Sequence, residues 1–375
     1  MAITTNISQT ETLPAAPAAP KAWASLRPSH PGDVAAIQNI YQEVYKGTYT
    51  YHEYTDAGYL AEDMASGHSN WYVIQDAELN NEIAGCVSAT VDVDHWRAYS
   101  RGMMMRPAWQ GKGGASRLFG DAFQDLLRCF KGNIRFLWSE TRADSPKPQA
   151  VCEAIGLQPC GILPGKDVFF NRRETPVLMA IFSSSAWKGR ETRIALVPGL
   201  VPVYEAIRAM HRPMRKDELV VAGDVAIDKT RCQPAVDVAA FAKKYGYTTF
   251  LFTCEKTGES LSINVNAQCN NAEGMELHCS KASTARALLA FALGYLRGKG
   301  VLYMEGYCPA TRPALQEAFL SAGFQPFGYV PAWNKDPRSG LHVDHVVFGW
   351  SACKVSSELT KFTEKSAALK EALHL

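Results

Sequence analysis

The sequence predicts an α/β (α+β) chain of two tandem units, each a mixed, mostly antiparallel sheet flanked by helices. Three observations predict it. The chain has 375 residues, more than one typical domain. Short apolar runs bounded by turn residues alternate with stretches of 3.6-residue apolar period, so strands interleave with helices. The order of elements in the first half then recurs in the second, which implies an internal duplication. The expected division is a disordered Ala/Pro-rich tail over 1–21, units over 22–187 and 188–355, and a C-terminal helix over 356–375.

Composition narrows the function classes. Apolar residues make up 47% and charged residues 20%, as in an ordinary globular protein. A formal charge of +2 gives no reason to expect nucleic acid or an anionic membrane as partner. The ten cysteines contain no C-x-x-C pair, and no apolar run is long enough to span a bilayer. Reduced thiols and a cytoplasmic location are therefore expected.

In the first unit a short strand over 22–27 precedes a helix with Asp33 as cap and Val34, Ile37, Ile40, Tyr41 and Val44 as its apolar face. A polar, tyrosine-rich segment follows (Tyr45, Tyr49, Tyr51, His52, Glu53, Tyr54). Residues 71–75 and 83–91 read as a hairpin. The run from Asp92 through His95 leads to a strand ending at Met105, then to Pro107, a glycine turn, and a helix with Leu118, Phe119, Ala122, Phe123, Leu126 and Leu127 on one face. A buried strand over 134–140, a helix over 148–155 stopped by Gly156, and strands near 157–163 and 176–182 complete the unit.

In the second unit, residues 192–197 read as a strand and 201–210 as a helix. Residues 247–253 and 260–267 form a hairpin across Glu255, Lys256, Thr257 and Gly258. A helix carries Ala285, Leu288, Leu289, Ala292, Leu293 and Leu296 on one face. A strand over 301–305, a helix over 313–322 and strands over 327–331 and 342–350 close the set.

The chemistry concentrates at Met103-Met104-Met105-Arg106-Pro107-Ala108-Trp109-Gln110-Gly111-Lys112-Gly113-Gly114-Ala115-Ser116. Glycines without a Cβ let the backbone approach a phosphate, the first amides of the helix have no partner within it, and Lys112 adds positive charge. A dinucleotide G-x-G-x-x-G fails because Ser116 stands where the third glycine is required. A P-loop motif is absent. The remaining pattern, Gln110-Gly111-Lys112-Gly113-Gly114 after a strand and Pro107, resembles the acyl-CoA motif of the GNAT acetyltransferase superfamily, V-x-P-x-x-[QR]-G-x-G-x-[GA], with Met105 in place of Val.

That resemblance covers about residues 22 to 185 and implies acetyl-CoA or another acyl-CoA as co-substrate. It implies that main-chain groups of Met103, Met104 and Met105 pair with pantetheine, while amides from Gln110 to Ser116 hold the pyrophosphate. It also implies direct attack of an amine on the thioester. The tyrosine that often serves relatives as proton donor is replaced by Cys152, and the asparagine that accompanies it by Ser145. The reference pKa of a thiol, about 8.5, lies below that of a phenol, about 10, so Cys152 is the candidate acid. A packed small residue is the plain alternative. For the base, Glu140 is preferred, with Tyr99, Asp94 and His95 as alternatives. His342 and His345 lie three apart on a strand and point to opposite faces, so no metal site is expected.

The glycine turn has no counterpart in the second unit, where Ser280-Lys281-Ala282-Ser283-Thr284 stands. One acyl-CoA site is therefore expected. The acceptor is expected to be a small molecule, and the chain a monomer or homodimer. A CoA-binding regulator without turnover, and a thioester hydrolase or decarboxylase on the same fold, remain open alternatives.

Overall fold

Strand β1 (Ala24–Pro28) leads to helices α1 (Val34–Tyr45) and α2 (Ala57–Ser66). The computed structural model describes residues 23–130, 134–223, 225, 235–337 and 339–375. The tail expected over 1–21 lies outside them. Asp33 stands at the α1 N-cap, but its side chain makes no cap bond. Its carboxylate instead takes the Arg27 guanidinium at 2.7 and 2.8 Å and the His30 amide at 2.9 Å. The expected apolar face of α1 is buried at Val34, Ile37, Ile40 and Tyr41. Helix α2 escaped the sequence reading because it buries only Leu60 and Asp63 and so carries almost no apolar stripe.

Strands β2 (Ser69–Asp76), β3 (Glu82–Asp92) and β4 (Arg97–Met105) form a meander. Helix α3 (Ala115–Cys129), strand β5 (Phe136–Thr141), helix α4 (Lys147–Ala154) and strand β6 (Gln158–Ile162) follow. A small hairpin, β7 (Asp167–Phe169) with β8 (Arg172–Glu174), precedes β9 (Val177–Phe182) and the short helix α5 (Ser184–Lys188).

The expected strand over 192–197 exists as β10 (Arg193–Leu196), but it pairs in parallel with β11 (Glu218–Val221), outside the main sheet. Helix α6 (Val201–Met210) lies between them. Then come β12 (Val236–Ala242), β13 (Tyr247–Cys254), β14 (Ser260–Asn266), β15 (Asn271–His278) and helix α7 (Ala282–Gly298). Strand β16 (Tyr303–Pro309), helix α8 (Pro313–Ser321), strands β17 (Gln325–Lys335) and β18 (His342–Ser351), and helix α9 (Glu364–Ala372) end the chain. Strands β12 and β15 were missed by sequence. The first is a largely exposed sheet edge, and the second is interrupted by Gly274, so neither presents the apolar contrast of a buried strand.

Among the described residues, fourteen strands form one sheet in the order β1-β2-β3-β4-β5-β9-β6-β17-β18-β16-β15-β14-β13-β12. Four antiparallel strands, one parallel step (β4 to β5, β15 to β16) and an antiparallel return appear from each outer edge inward. The two halves meet where Gly161 of β6 faces Gly328 of β17. A Cβ on Gly328 would lie 2.4 Å from the Cys160 carbonyl oxygen, so only glycine permits this approach.

Helix α3 packs on β1 and β2, helix α7 on β13 and β14, and they bury the apolar faces read from the sequence, including Leu118, Phe123 and Leu126 on one and Leu288, Ala292 and Leu296 on the other. Helices α1 and α2 cover the opposite face of the N-terminal half. In the C-terminal half, β12 passes to β13 through a single 3-10 turn, Lys244–Gly246. The C-terminal helix is shorter than expected, capped by Thr363 and tied to α4 where Gln149 donates to the Lys361 carbonyl at 2.8 Å.

Candidate functional site

Strand β4 carries a bulge on its way to the glycine turn. Cys86 pairs with Met104 and Ser88 with Arg101, so Gly102 and Met103 together oppose one residue of β3. Gly102 has φ 64° and a Cβ there would sit 2.7 Å from the Tyr41 hydroxyl, so the bulge needs glycine. On its other edge β4 pairs with β5 only from Arg97 to Ser100. Beyond Ser100 and Ser139 the strands part, and among the described residues the β4 main-chain groups of residues 101–105 have no strand partner on that side. Met104 is buried with the α1 and α2 side of the sheet, while Met103 and Met105 pack toward α3.

The turn that follows is pinned on its strand side. Arg106 binds Glu43 at 2.7 Å, and Trp109 donates to Asp76 at 2.7 Å. Gln110 reaches back to the Met105 carbonyl at 3.0 Å. Gly111, Gly113 and Gly114 have φ of 78°, 80° and 88°, a region that side chains disfavour. A Cβ at any of the three would meet nothing within 4 Å, so the turn faces open space. Helix α3 starts at Ala115 and Ser116 with no acidic residue in its first turn and no side-chain cap. Its leading amides are open to an anion, with the Lys112 ammonium 5.2 Å above the Trp109 ring beside them.

The corresponding place in the C-terminal half is closed by the protein itself. The Glu259 carboxylate takes the Ser280 amide at 2.7 Å and its hydroxyl at 2.6 Å, at the entrance to α7. Burial raises its pKa, but the bonds from Ser280 and Thr284 outweigh that and hold it down at about 2. Strand β15 has a bulge at the same position, Gly274-Met275 with φ 65° at Gly274, but the gap beside it is filled. A Cβ on Gly306 would strike Met275 Sδ at 2.7 Å and Phe319 at 3.1 Å. Phe319, the counterpart of Cys152, stacks on Phe348 at 4.8 Å.

The catalytic candidates fare differently. Tyr99 lies against Trp138, ring centroids 4.2 Å apart, and burial pushes its phenol far up, so it stays protonated and does not act as a base at neutral pH. Cys152 is fully buried in the core with Thr141 Oγ1 3.4 Å from its sulfur. Burial pushes the thiol up to about 11, which removes the acidity advantage expected of it over a phenol. Asp92, rather than Asp94, holds the His95 ring at 2.9 Å and Arg97 at 2.9 Å. That group sits at the start of β4, about 20 Å of strand from the bulge, which removes Asp94 and His95 as bases. His342 and His345 make separate bonds to the Ala332 and Val343 carbonyls.

Glu140 is buried on the same face as Tyr99, and its carboxylate is engaged. Lys166 Nζ lies 2.5 Å from Glu140, 3.1 Å from Glu305 and 3.1 Å from Glu273. Burial works against the Lys166 ammonium, yet these carboxylates outweigh it and push its pKa up. Asp167 is next in chain and accepts from the Tyr51 hydroxyl at 2.5 Å. Burial first, and then Glu140, pushes Asp167 up to about 7. Glu305 is also pushed up to about 7, by burial against the pull of Lys166. Sequence reasoning missed Lys166, Asp167, Glu273 and Glu305, which come from both halves of the chain. The one sequence signal was the repeated Gly-Met of the two bulges, which aligns Glu140 with Glu305.

Residues 34–156 match the model of the acetyltransferase (GNAT) family. No curated protein matches the chain. Among solved structures, the spermidine N-acetyltransferase of Vibrio cholerae in complex with CoA and spermine is 20% identical over 43% of this chain and 96% of that one, with a TM-score of 0.38. A ribosomal L7/L12 α-N-protein acetyltransferase in complex with coenzyme A is 17% identical over 43% of this chain and 95% of that one, with a TM-score of 0.37.

Proposed function

Because residues 34–156 form a GNAT acetyltransferase domain, we propose that the protein transfers an acyl group, acetyl in the simplest case, from acyl-CoA to a small amine or amino-acid-like acceptor. The observation that carries this reading is the bare left-handed turn over Gly111, Gly113 and Gly114, set between the open edge of β4 and the uncapped start of α3. Acyl-CoA supplies the activated thioester, whose acyl group passes to the attacking nitrogen as coenzyme A departs. Amides from Gln110 to Ser116 hold the pyrophosphate, with Lys112 nearby. Main-chain groups of Met103, Met104 and Met105 align the pantetheine arm along β4.

The acceptor approaches from the face that carries Tyr99 and Glu140. An ammonium must lose a proton before it attacks, and a base whose pKa lies near the working pH does this best. Asp167, raised toward neutrality, suits that task better than Glu140 or Glu305, both of which are ion-paired with Lys166. Cys152 serves as a core residue.

The bulges at Gly102 and Gly274, and the matching strand orders, support a duplicated pair of units. Glu259, Met275 and Phe319 leave one acyl-CoA site, in the N-terminal unit, and the C-terminal unit supplies part of the acidic wall through Glu273 and Glu305. Incubation with acetyl-CoA and a panel of amines, following free thiol and product mass, tests the reading. Thiol release matched by N-acetylated product is expected. Binding without release would favour a regulator, and release without an N-acetyl product a hydrolase; either result refutes the proposal.

A further inference from the structure

Arg101 immediately precedes the β4 bulge and lies on the acceptor side of the parting strands. Its guanidinium carbon sits 4.4 Å over the Tyr51 ring and 4.6 Å over the Tyr54 ring, with Tyr99 at 5.2 Å. Aromatic faces favour the cation but engage only the flat sides of the guanidinium. The N–H bonds point outward in its plane, and there the group is unfilled. Nε and Nη1 are buried with no hydrogen-bond partner among the described residues, and Nη2 has only the Tyr99 hydroxyl at 3.5 Å, the outer limit of a bond. No carboxylate forms a salt bridge with Arg101 among the described residues, although the neighbouring Arg97 has one, to Asp92, and Arg106 has two, to Glu43 and Glu82.

A buried guanidinium with empty donors is costly unless an oxyanion reaches it. Tyr51 links it to the acidic group, because the tyrosine ring lies against Arg101 while its hydroxyl binds Asp167 at 2.5 Å. The site is therefore two-signed: unpaired cationic donors at Arg101, and carboxylates at Glu140, Glu305 and Glu273 around a single lysine, with Asp167 next to that lysine in the chain.

We infer that Arg101 binds a substrate carboxylate, with an α-amino acid as the acceptor class, its carboxylate on Arg101 and its ammonium toward Asp167. The inference rests on the acyl-transfer reading of the same site. An acyl group that itself ends in a carboxylate, as in malonyl-CoA or succinyl-CoA, would offer Arg101 the same chemistry from the other substrate.

The test uses the full chain and matched pairs: tyrosine with tyramine and phenylalanine with phenethylamine, each with acetyl-CoA, then the two amines with acetyl-CoA against succinyl-CoA. A site built to bond a polar group discriminates strongly against analogues that lack it, so a preference of about 100-fold or more in kcat/KM for one carboxylated partner is expected. Arg101→Met should collapse that ratio toward one, chiefly through KM. Arg101→Lys, which keeps the charge and shortens the reach, should retain part of it. Preference in the first comparison assigns the carboxylate to the acceptor, and preference only in the second assigns it to the acyl group and overturns the amino-acid class.

Equal use of both members of every pair, or a preference unchanged in both Arg101 variants, overturns the inference altogether. Should CoA bind without any turnover, the acyl-transfer reading fails by itself. Arg101 is then judged by calorimetry on the CoA-saturated protein, where tyrosine should bind and tyramine should not, and where equal binding would defeat the inference.

Discussion

Cys152 and Asp167 are both buried ionisable groups next to the parting of β4 and β5, yet they answer burial differently. Cys152 sits in an apolar core with one hydroxyl neighbour, where a neutral thiol costs nothing. Cys152→Ala should lower stability by about 1 kcal/mol through a small cavity, with turnover within about twofold of the parent. A hundredfold loss of kcat at unchanged CoA affinity would restore the thiol as proton donor. Asp167 is different because its neighbours include other acids. Its folded pKa lies above the unfolded value, so between about pH 4 and about pH 7 the folded chain holds a proton that the unfolded chain has released. Its contribution to stability is therefore fully present below that window and lost as the pH rises through about 7. His211 and His342, pushed down to about 4 by burial, act in the opposite sense over part of the range, so a difference measurement isolates the aspartate. The Tm of Asp167→Asn minus that of the parent should become more positive by a few degrees from pH 5 to pH 8. A flat or falling difference would contradict the raised pKa.

At the level of elements, the strand, turn and helix from Arg97 to Cys129 do most of the positioning. Gly113→Glu places a side chain and a negative charge at the turn proposed to hold the pyrophosphate, and should weaken acetyl-CoA binding by at least about 100-fold. Ser283→Glu, in the first turn of α7, should leave that affinity unchanged. Equal loss from both would contradict a single site. The turn was legible because three glycines, a proline and a sharp change of period are local features of the chain. The buried faces of α1, α3 and α7 were legible for the same reason. The acidic group was not, because Lys166 follows an unremarkable strand and meets Glu273 and Glu305 only after more than a hundred intervening residues have folded. Strand β12 and helix α2 were missed because each buries too little apolar surface to leave a periodic trace. Asp33 was misread as a side-chain cap because Arg27, brought close by the β1 turn, competes for its carboxylate.

At the scale of the molecule, the fourteen-strand sheet of the described residues places two similar bulges on either side of a central seam at Gly161 and Gly328. The two halves differ in what surrounds those bulges. One keeps an open glycine turn, and the other turns its own Glu259 carboxylate onto the matching helix start and packs Met275 and Phe319 into the matching gap. The C-terminal half keeps its acids, and they reach Lys166 beside Glu140. Among the described residues no helix is long and apolar enough to cross a membrane. The most direct test is a calorimetric titration of the full chain with acetyl-CoA at low ionic strength. The account predicts one binding site per chain, abolished by Gly113→Glu; no heat with any coenzyme A derivative, or two sites per chain, would contradict it.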